Sequence, residues 1–329
     1  MTTIKKRILS GMRPTGPLHL GNLHGALLNW VNMQDAYDCH FFIADWHALT
    51  SDYEDPRNVP EHVRTIMVDW LSAGLTPDKS TLFVQSRIKE HAELFLILSM
   101  ITPVPWLERN PTYKDQIVQI NNKDLSTFGF LGYPVLQAAD IIMYKANGVP
   151  VGVDQVPHVE ITREIARRFN YFYGDVFPEP DAILTQTPKI LGLDRRKMSK
   201  SYDNAIYLSD APDEVRKKVL QMVTDPQRAR KSDPGNPEIC NVYEFHKLYA
   251  DAETIASTDG ACRKAQIGCV DCKRKMAEFL IKGLEPIHEK RAYYLDHPDL
   301  VDDIFKNGCE KASRVAKATM EEVRVAVSF

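Results

Sequence analysis

Arg13-Pro14-Thr15-Gly16-Pro17-Leu18-His19-Leu20-Gly21-Asn22-Leu23-His24-Gly25 stands between a short apolar run, Ile8-Leu9, and an apolar stretch, Ala26-Leu27-Leu28-Asn29-Trp30-Val31. The first run reads as a strand and the second as the body of a helix. A Gly-rich turn from strand to helix leaves backbone N–H groups unpaired where the helix dipole is positive, so an anion is favoured there. Two histidines and an asparagine add side-chain donors at the same place.

Working outward, the first half of the chain alternates. Phe41-Phe42-Ile43-Ala44 and Leu82-Phe83-Val84 read as further buried strands. Between them Val63, Ile66, Met67, Trp70 and Leu71 share one helical face, and Gly74 stands where a helix stops. Strand and helix in repetition predict a parallel sheet covered by helices, an α/β Rossmann-like domain with ligands at the carboxyl ends of its strands. Asp45-Trp46-His47 falls at such an end. Further on, Pro134 to Tyr144 reads as an apolar helix with Pro in its first turn, and Val149-Pro150-Val151 as a short strand. Pro157 opens another helix, predicted to end at Asn170.

The Pro-rich run from Pro178 to Pro188 breaks the alternation. Beyond it Asp210-Ala211-Pro212-Asp213 reads as the cap of a helix carrying Val215, Val219 and Met222, and the rest is helical in period. Two domains follow: a Rossmann-like one over 1–204 and an all-helical one over 205–329. The boundary lies between 190 and 210, and a last helix over about 309–327 is free to pack back on the first domain. The 329 residues suit two domains, and the formal charge of −3 gives no global field for nucleic acid. Local basic clusters exist, Arg216 to Lys231 and Arg263 to Lys275. No apolar run is long enough for a signal peptide or a membrane span, so the expected address is cytoplasmic.

Lys197-Met198-Ser199-Lys200-Ser201 puts two ammonium groups and two hydroxyls on one loop. That suits a polyphosphate whose charge grows during reaction. Together, His19-Leu20-Gly21-Asn22 and Lys197–Ser201 resemble the two catalytic motifs of class I aminoacyl-tRNA synthetases. Ser10 to Gly16, Tyr133-Pro134 with Ala138-Ala139-Asp140-Ile141, Val149 to Gln155 and His158 to Asn170 narrow the resemblance to the tryptophanyl-tRNA synthetase family, over essentially the whole chain.

The resemblance implies a tryptophan–tRNA ligase that uses ATP with Mg²⁺, forms tryptophanyl-adenylate and charges tRNA(Trp), as a homodimer. His19, Asn22, Lys197 and Lys200 would be catalytic. Arg13, Pro14, Thr15, Gly21, Asn22, Gly152, Val153, Asp154, Ile190 and Lys197 to Ser201 (with Met198 and Ser199) would hold ATP, with Gly152, Val153 and Asp154 at the ribose and Ile190 and Met198 near the adenine. Asp140 would accept the indole N–H, Gln155 would contact the amino group, and His47, Tyr133 and Gln137 would line the tryptophan pocket. Two positions depart from the common family pattern. Gln137 stands in place of a methionine, and Arg13 in place of a glutamine.

Six cysteines remain. Cys39 and Cys309 read as plain thiols. Cys240, then Cys262-x6-Cys269-x2-Cys272, reads as a four-thiolate site. Zinc more often takes two Cys-x2-Cys knuckles, so a four-cysteine iron–sulfur cluster fits the spacing better, with zinc the alternative. A subset of tryptophanyl-tRNA synthetases carries a similar four-cysteine [4Fe–4S] pattern, so the resemblance implies that cluster type. Two rival readings stand beside the ligase: a non-catalytic, synthetase-like RNA-binding or redox-sensing protein, and a tyrosyl-tRNA synthetase.

Overall fold

The computed structural model describes residues 5–110, 125–184 and 190–329, except the side chain of Asp154. By contacts the chain forms two compact units. One comprises residues 1–16, 29–186 and 296–329; the other comprises 17–28 and 187–295.

The first unit is built on five parallel strands: β1 (Arg7–Met12), β2 (Asp38–Ile43), β3 (Ser80–Val84), β4 (Gly148–Val151) and β5 (Asp181–Leu184), in the order β3-β2-β1-β4-β5. Ile8, Leu9, Phe41, Ile43, Leu82 and Phe83 are buried, as near-continuous apolar runs covered on both faces should be. Trp30 stacks on Phe41 at 4.7 Å and meets Trp70 edge-on at 5.3 Å. The helix Val59–Ala73 places Val63, Ile66, Met67, Trp70 and Leu71 inside, and Gly74 ends it with a left-handed φ of 113°.

The final helix, Pro298–Ala326, covers the edge strand β3. A Cβ on Gly308 would stand 1.8 Å from the Leu82 carbonyl oxygen, so only glycine permits this approach. Next to it the Sγ of Cys309 accepts the Val84 N–H at 3.4 Å. An uncovered edge would invite pairing with another chain. This helix begins well before the expected 309, because Cys309 lies in its middle rather than at its start.

The second unit is helical, with Pro212–Gln221, Asn241–Tyr249, Ala252–Arg263 and the long Cys269–Asp296. Residues 17–28 group with it by contact. The backbone reason is local. Leu20 N–H bonds to Ile206 O, and Leu208 N–H to Leu18 O, which ties the early turn to a segment nearly two hundred residues later.

Four smaller expectations need correction. Helical structure begins at Leu20, inside the quoted stretch, and passes through a π-helical turn at Leu23–Leu27. The Pro-rich run contains strand β5, an edge position where flanking prolines cost no ladder bond; Pro188 lies outside the described residues. Asp210 does not cap its helix. Its carboxylate takes the Tyr207 N–H at 2.8 Å and Lys218 at 2.6 Å. Asn170 does not end its helix, which runs on to Tyr173 and stops at Gly174. Its amide instead shapes the following turn through Val176 and Phe177.

Candidate active site

In the second unit, His19 is the N-cap of the helix that starts at Leu20. Its Nδ1 accepts the Asn22 N–H at 3.3 Å, and the Asn22 Oδ1 accepts the His19 N–H at 3.1 Å. This reciprocal pairing satisfies two donors and assigns the tautomer: Nδ1 is the acceptor, so Nε2 carries the proton and is left to donate. Gly21 is required for the arrangement, because a Cβ there would lie 2.9 Å from the His19 ring. Burial, then the charges of Lys200 and Lys197, lower the His19 pKa to about 4. The imidazole is therefore a neutral donor at neutral pH, within electrostatic reach of both lysines.

The lysine loop is braced from below. Met198 is buried, with its N–H on Ile190 O at 3.3 Å. Ser199 N–H bonds to Asn204 Oδ1 at 2.9 Å, and Asn204 Nδ2 bonds to Asp194 at 2.7 Å and to Lys197 O at 3.2 Å. Gly192 leaves room for this amide, since a Cβ would approach Asn204 to 2.2 Å. Ser199 Oγ takes the Ser201 N–H at 3.3 Å, and Asp203 closes the turn with φ of 49°. The two lysines thus ride on a backbone fixed by Asn204, a residue that motif reading passes over.

In the first unit, the carboxyl ends of the strands converge. Arg13 follows β1, the Asp45–Asp52 helix follows β2, Gln85 follows β3, and Gly152 to Gln155 follow β4. The helix Tyr133–Met143 carries Tyr133, Gln137 and Asp140 at spacings of four and three, on one face. Asp140 is 0% exposed. Its Oδ1 accepts His91 Nδ1 at 2.6 Å and Gln85 Nε2 at 2.8 Å. Its Oδ2 accepts His47 Nε2 at 2.8 Å and the same Gln85 nitrogen at 2.9 Å. Burial pushes the carboxyl up, but the hydrogen bonds from His47 and His91 outweigh it and hold Asp140 below the usual carboxylate range. The group is a buried anion held by three donor side chains.

A second buried chain runs beside it. Tyr133 Oη meets His158 Nε2 at 2.9 Å, and His158 Nδ1 meets Asn110 Nδ2 at 3.3 Å. The His47 ring faces the Tyr133 ring edge-on at 6.2 Å. Arg13 donates to Ser51, its Nε is buried without a hydrogen-bond partner, and it lies in electrostatic reach of Asp52 and Tyr133. Pro14 is buried and Thr15 exposed, in a turn closed by Thr15 N–H to Arg13 O at 3.0 Å. Gly152 is extended, and Val153–Gln155 form one 3₁₀ turn with Val153 exposed. The side chain of Asp154 lies outside what is described. Gln137 and Gln155 are half-buried.

Motif reading did not single out Gln85, His91 or Tyr144. Gln85 had a signal, its place directly after a buried strand, where parallel sheets bind ligands. His91 had none: a lone histidine on an apolar helix reads as core.

The four cysteines of the helical unit are electrostatic neighbours. Each of Cys240, Cys262 and Cys272 is pushed up first by burial, with Cys269 among the further causes. At Cys240 the backbone of Tyr243, Val242 and Asp225 works against that rise. Arg228 Nη1 approaches Cys262 at 3.9 Å and Cys269 at 3.8 Å. Among the described residues no group of three or more His, Cys, Asp or Glu side chains is arranged to hold a metal ion.

Both motifs of a nucleotide-activating enzyme are thus present, and the chain belongs to the family of class I tRNA synthetases for W and Y, which matches residues 2–285. Within it, the chain is 54% identical over 326 residues to the tryptophan–tRNA ligase of Thermotoga maritima, covering 98% of this chain and 99% of that one. It is 46% identical to the tryptophan–tRNA ligase of Aquifex aeolicus, covering 98% of this chain and all of the relative. A tryptophanyl-tRNA synthetase from Campylobacter jejuni, solved with ADP and tryptophan, superposes with a TM-score of 0.90 at 33% identity, over 98% of this chain and all of that one.

Proposed function

We propose that the chain is a tryptophan–tRNA ligase that activates L-tryptophan with ATP·Mg²⁺ and transfers it to tRNA(Trp). The observation that carries the choice of substrate is Asp140. Gln85 spreads a single nitrogen across both carboxylate oxygens, so a substrate N–H can compete for one of them. An indole supplies that single N–H, and a phenol places its polar group differently. A buried acceptor left without a donor is costly, so analogues lacking the N–H are rejected.

The tryptophan carboxylate attacks the α-phosphate of ATP, and pyrophosphate leaves. Catalysis is positioning plus electrostatics. His19 donates from Nε2 as a neutral group, Asn22 holds it, and Lys197 and Lys200 meet the charge that builds on the leaving phosphates. Arg13, with a buried unpaired N–H near Tyr133, suits the substrate carboxylate. Pro14, Thr15 and Gly21 line the phosphates, and Ser199 and Ser201 belong to the closing loop. Gly152, Val153 and Asp154 serve the ribose, Ile190 and Met198 the adenine. Gln155 serves the amino group, with His47, Tyr133 and Gln137 around the side chain.

Residues 1–204 form the catalytic part, and the helical remainder, apart from the last helix, reads the anticodon. Leu96 and Met100, one turn apart on the Glu90–Ile101 helix, and Phe128 are exposed. Such apolar surface on the catalytic unit supports a homodimer. No helix among the described residues is long and apolar enough to cross a membrane, and tRNA charging puts the enzyme in the cytoplasm.

Cys240, Cys262, Cys269 and Cys272 fit a [4Fe–4S] cluster by their chemistry: four thiols in electrostatic reach of one another, with a guanidinium beside two of them. A cluster is larger than one ion, so its ligands need not converge on a point. Zinc is the alternative. Iron and acid-labile sulfide in anaerobically purified protein would support the cluster, and zinc without iron would overturn it.

Tryptophan-dependent ATP–pyrophosphate exchange tests the main reading. Exchange that tyrosine neither supports nor inhibits is expected. Its absence in folded protein would favour the non-catalytic rival, and support by tyrosine the tyrosyl one.

A further inference from the structure

From Asp140 a chain of hydrogen bonds runs through His91 to Tyr144. His91 Nδ1 meets Asp140 Oδ1 at 2.6 Å, and His91 Nε2 meets Tyr144 Oη at 2.8 Å. All three side chains are buried at 0% exposure. The proton positions follow from the acceptor. An ionised carboxylate has no hydrogen to give, so Nδ1 must carry one. A neutral ring then accepts at Nε2, and the Tyr144 hydroxyl donates to it. Every polar atom of the chain is satisfied, and every bond points its hydrogen toward Asp140. The rings of Phe42 and Phe83 stand 6.3 Å from the imidazole and keep it dry.

We propose that His91 and Tyr144 are positioning residues for indole recognition, holding the Asp140 carboxylate in one plane so that it can accept the substrate N–H. This rests on the reading of Asp140 as the indole acceptor. Gln85 and His47 cannot replace His91. Gln85 spans both oxygens with one nitrogen, and His47 is the donor on the half-exposed Asp45–Asp52 helix. Without the His91 donor, a carboxyl at this depth regains its proton, because a buried charge short of partners is too costly. A neutral carboxyl can rotate and offers a weaker acceptor.

The experiment compares tryptophan with its analogue in which sulfur replaces the ring N–H, using amino-acid-dependent ATP–pyrophosphate exchange. The wild-type preference for tryptophan is the readout. His91→Leu, which deletes the donor, should cut that preference about ten-fold or more while the KM for ATP holds. His91→Asn, whose Nδ2 takes the place of Nδ1, should keep it within about three-fold. Tyr144→Phe should fall between the two. A folded His91→Leu protein with full preference overturns the proposal. So does a His91→Asn protein as impaired as His91→Leu, because ring packing then explains the loss. Asp140→Asn is run alongside. If it keeps the preference, the indole reading itself fails. If it loses the preference and both His91 variants keep it, only the role of His91 fails.

Discussion

The lysine and histidine motifs and the surroundings of Asp140 are built differently. Around His19, Lys197 and Lys200 the structure uses backbone: a self-capped helix start and a loop held by Asn204 through Ser199 N–H and Lys197 O. The charge is carried by Lys197 and Lys200 on that loop, beside a neutral His19. Around Asp140 it uses side chains: His47, Gln85, His91 and Tyr144, locked together out of water. The difference matches the tasks. In the proposed reaction phosphate charge grows, and Lys197 and Lys200 would meet it in the transition state. An indole does not change, and a rigid, dry acceptor discriminates best before the reaction starts.

That contrast can be broken in order of expected effect. Lys200→Ala should slow adenylate formation by about 100- to 1000-fold, measured in single turnover, while tryptophan binding stays near the wild-type value. A loss of binding with the rate intact would sink the assignment. Asp140→Asn should weaken tryptophan about 10- to 100-fold, with ATP affinity retained. Equal losses for both substrates would mean the change reaches beyond the pocket. Asn204→Ala should lower the rate by about ten-fold, since the lysine loop loses two supports but no charge. An unchanged rate would show that the brace is not needed.

The smallest effect concerns pH. His19 has its pKa lowered from the ordinary 6.5 to about 4. The unfolded chain therefore takes up this proton more readily, so the associated stability is complete above about 6.5 and declines as pH falls from there toward 4. Between about pH 8 and 6 the His19 ring signal in NMR of the ligand-free protein should not move. A titration centred near 6.5 would show a ring that burial and the lysines do not hold neutral.

The same contrast explains what the sequence made legible. The strands at Ile8, Phe41 and Leu82 are apolar runs, and the stop at Gly74 is a left-handed position, so period and glycine chemistry reveal them. The histidine and lysine motifs are contiguous in sequence, and His19 with Lys197–Ser201 could be read directly. The surroundings of Asp140 are assembled from four separate elements. Asp140 was legible as a carboxylate on an apolar helix, but His91 and Tyr144 acquire meaning only when folding brings them to it. Strand β5 was hidden because four residues between prolines carry no period. The early turn's place with residues 187–295 was hidden because no local pattern encodes a contact so far along the chain.

The most direct test is ATP–pyrophosphate exchange against tryptophan concentration, for wild type, Lys200→Ala and Asp140→Asn together. The expected result is exchange by the wild type with tryptophan and not with tyrosine, a lower plateau at unchanged half-saturation for Lys200→Ala, and a shifted half-saturation for Asp140→Asn. Wild-type protein that is folded yet gives no tryptophan-dependent exchange, or a pair of variants that alter both parameters alike, would contradict it.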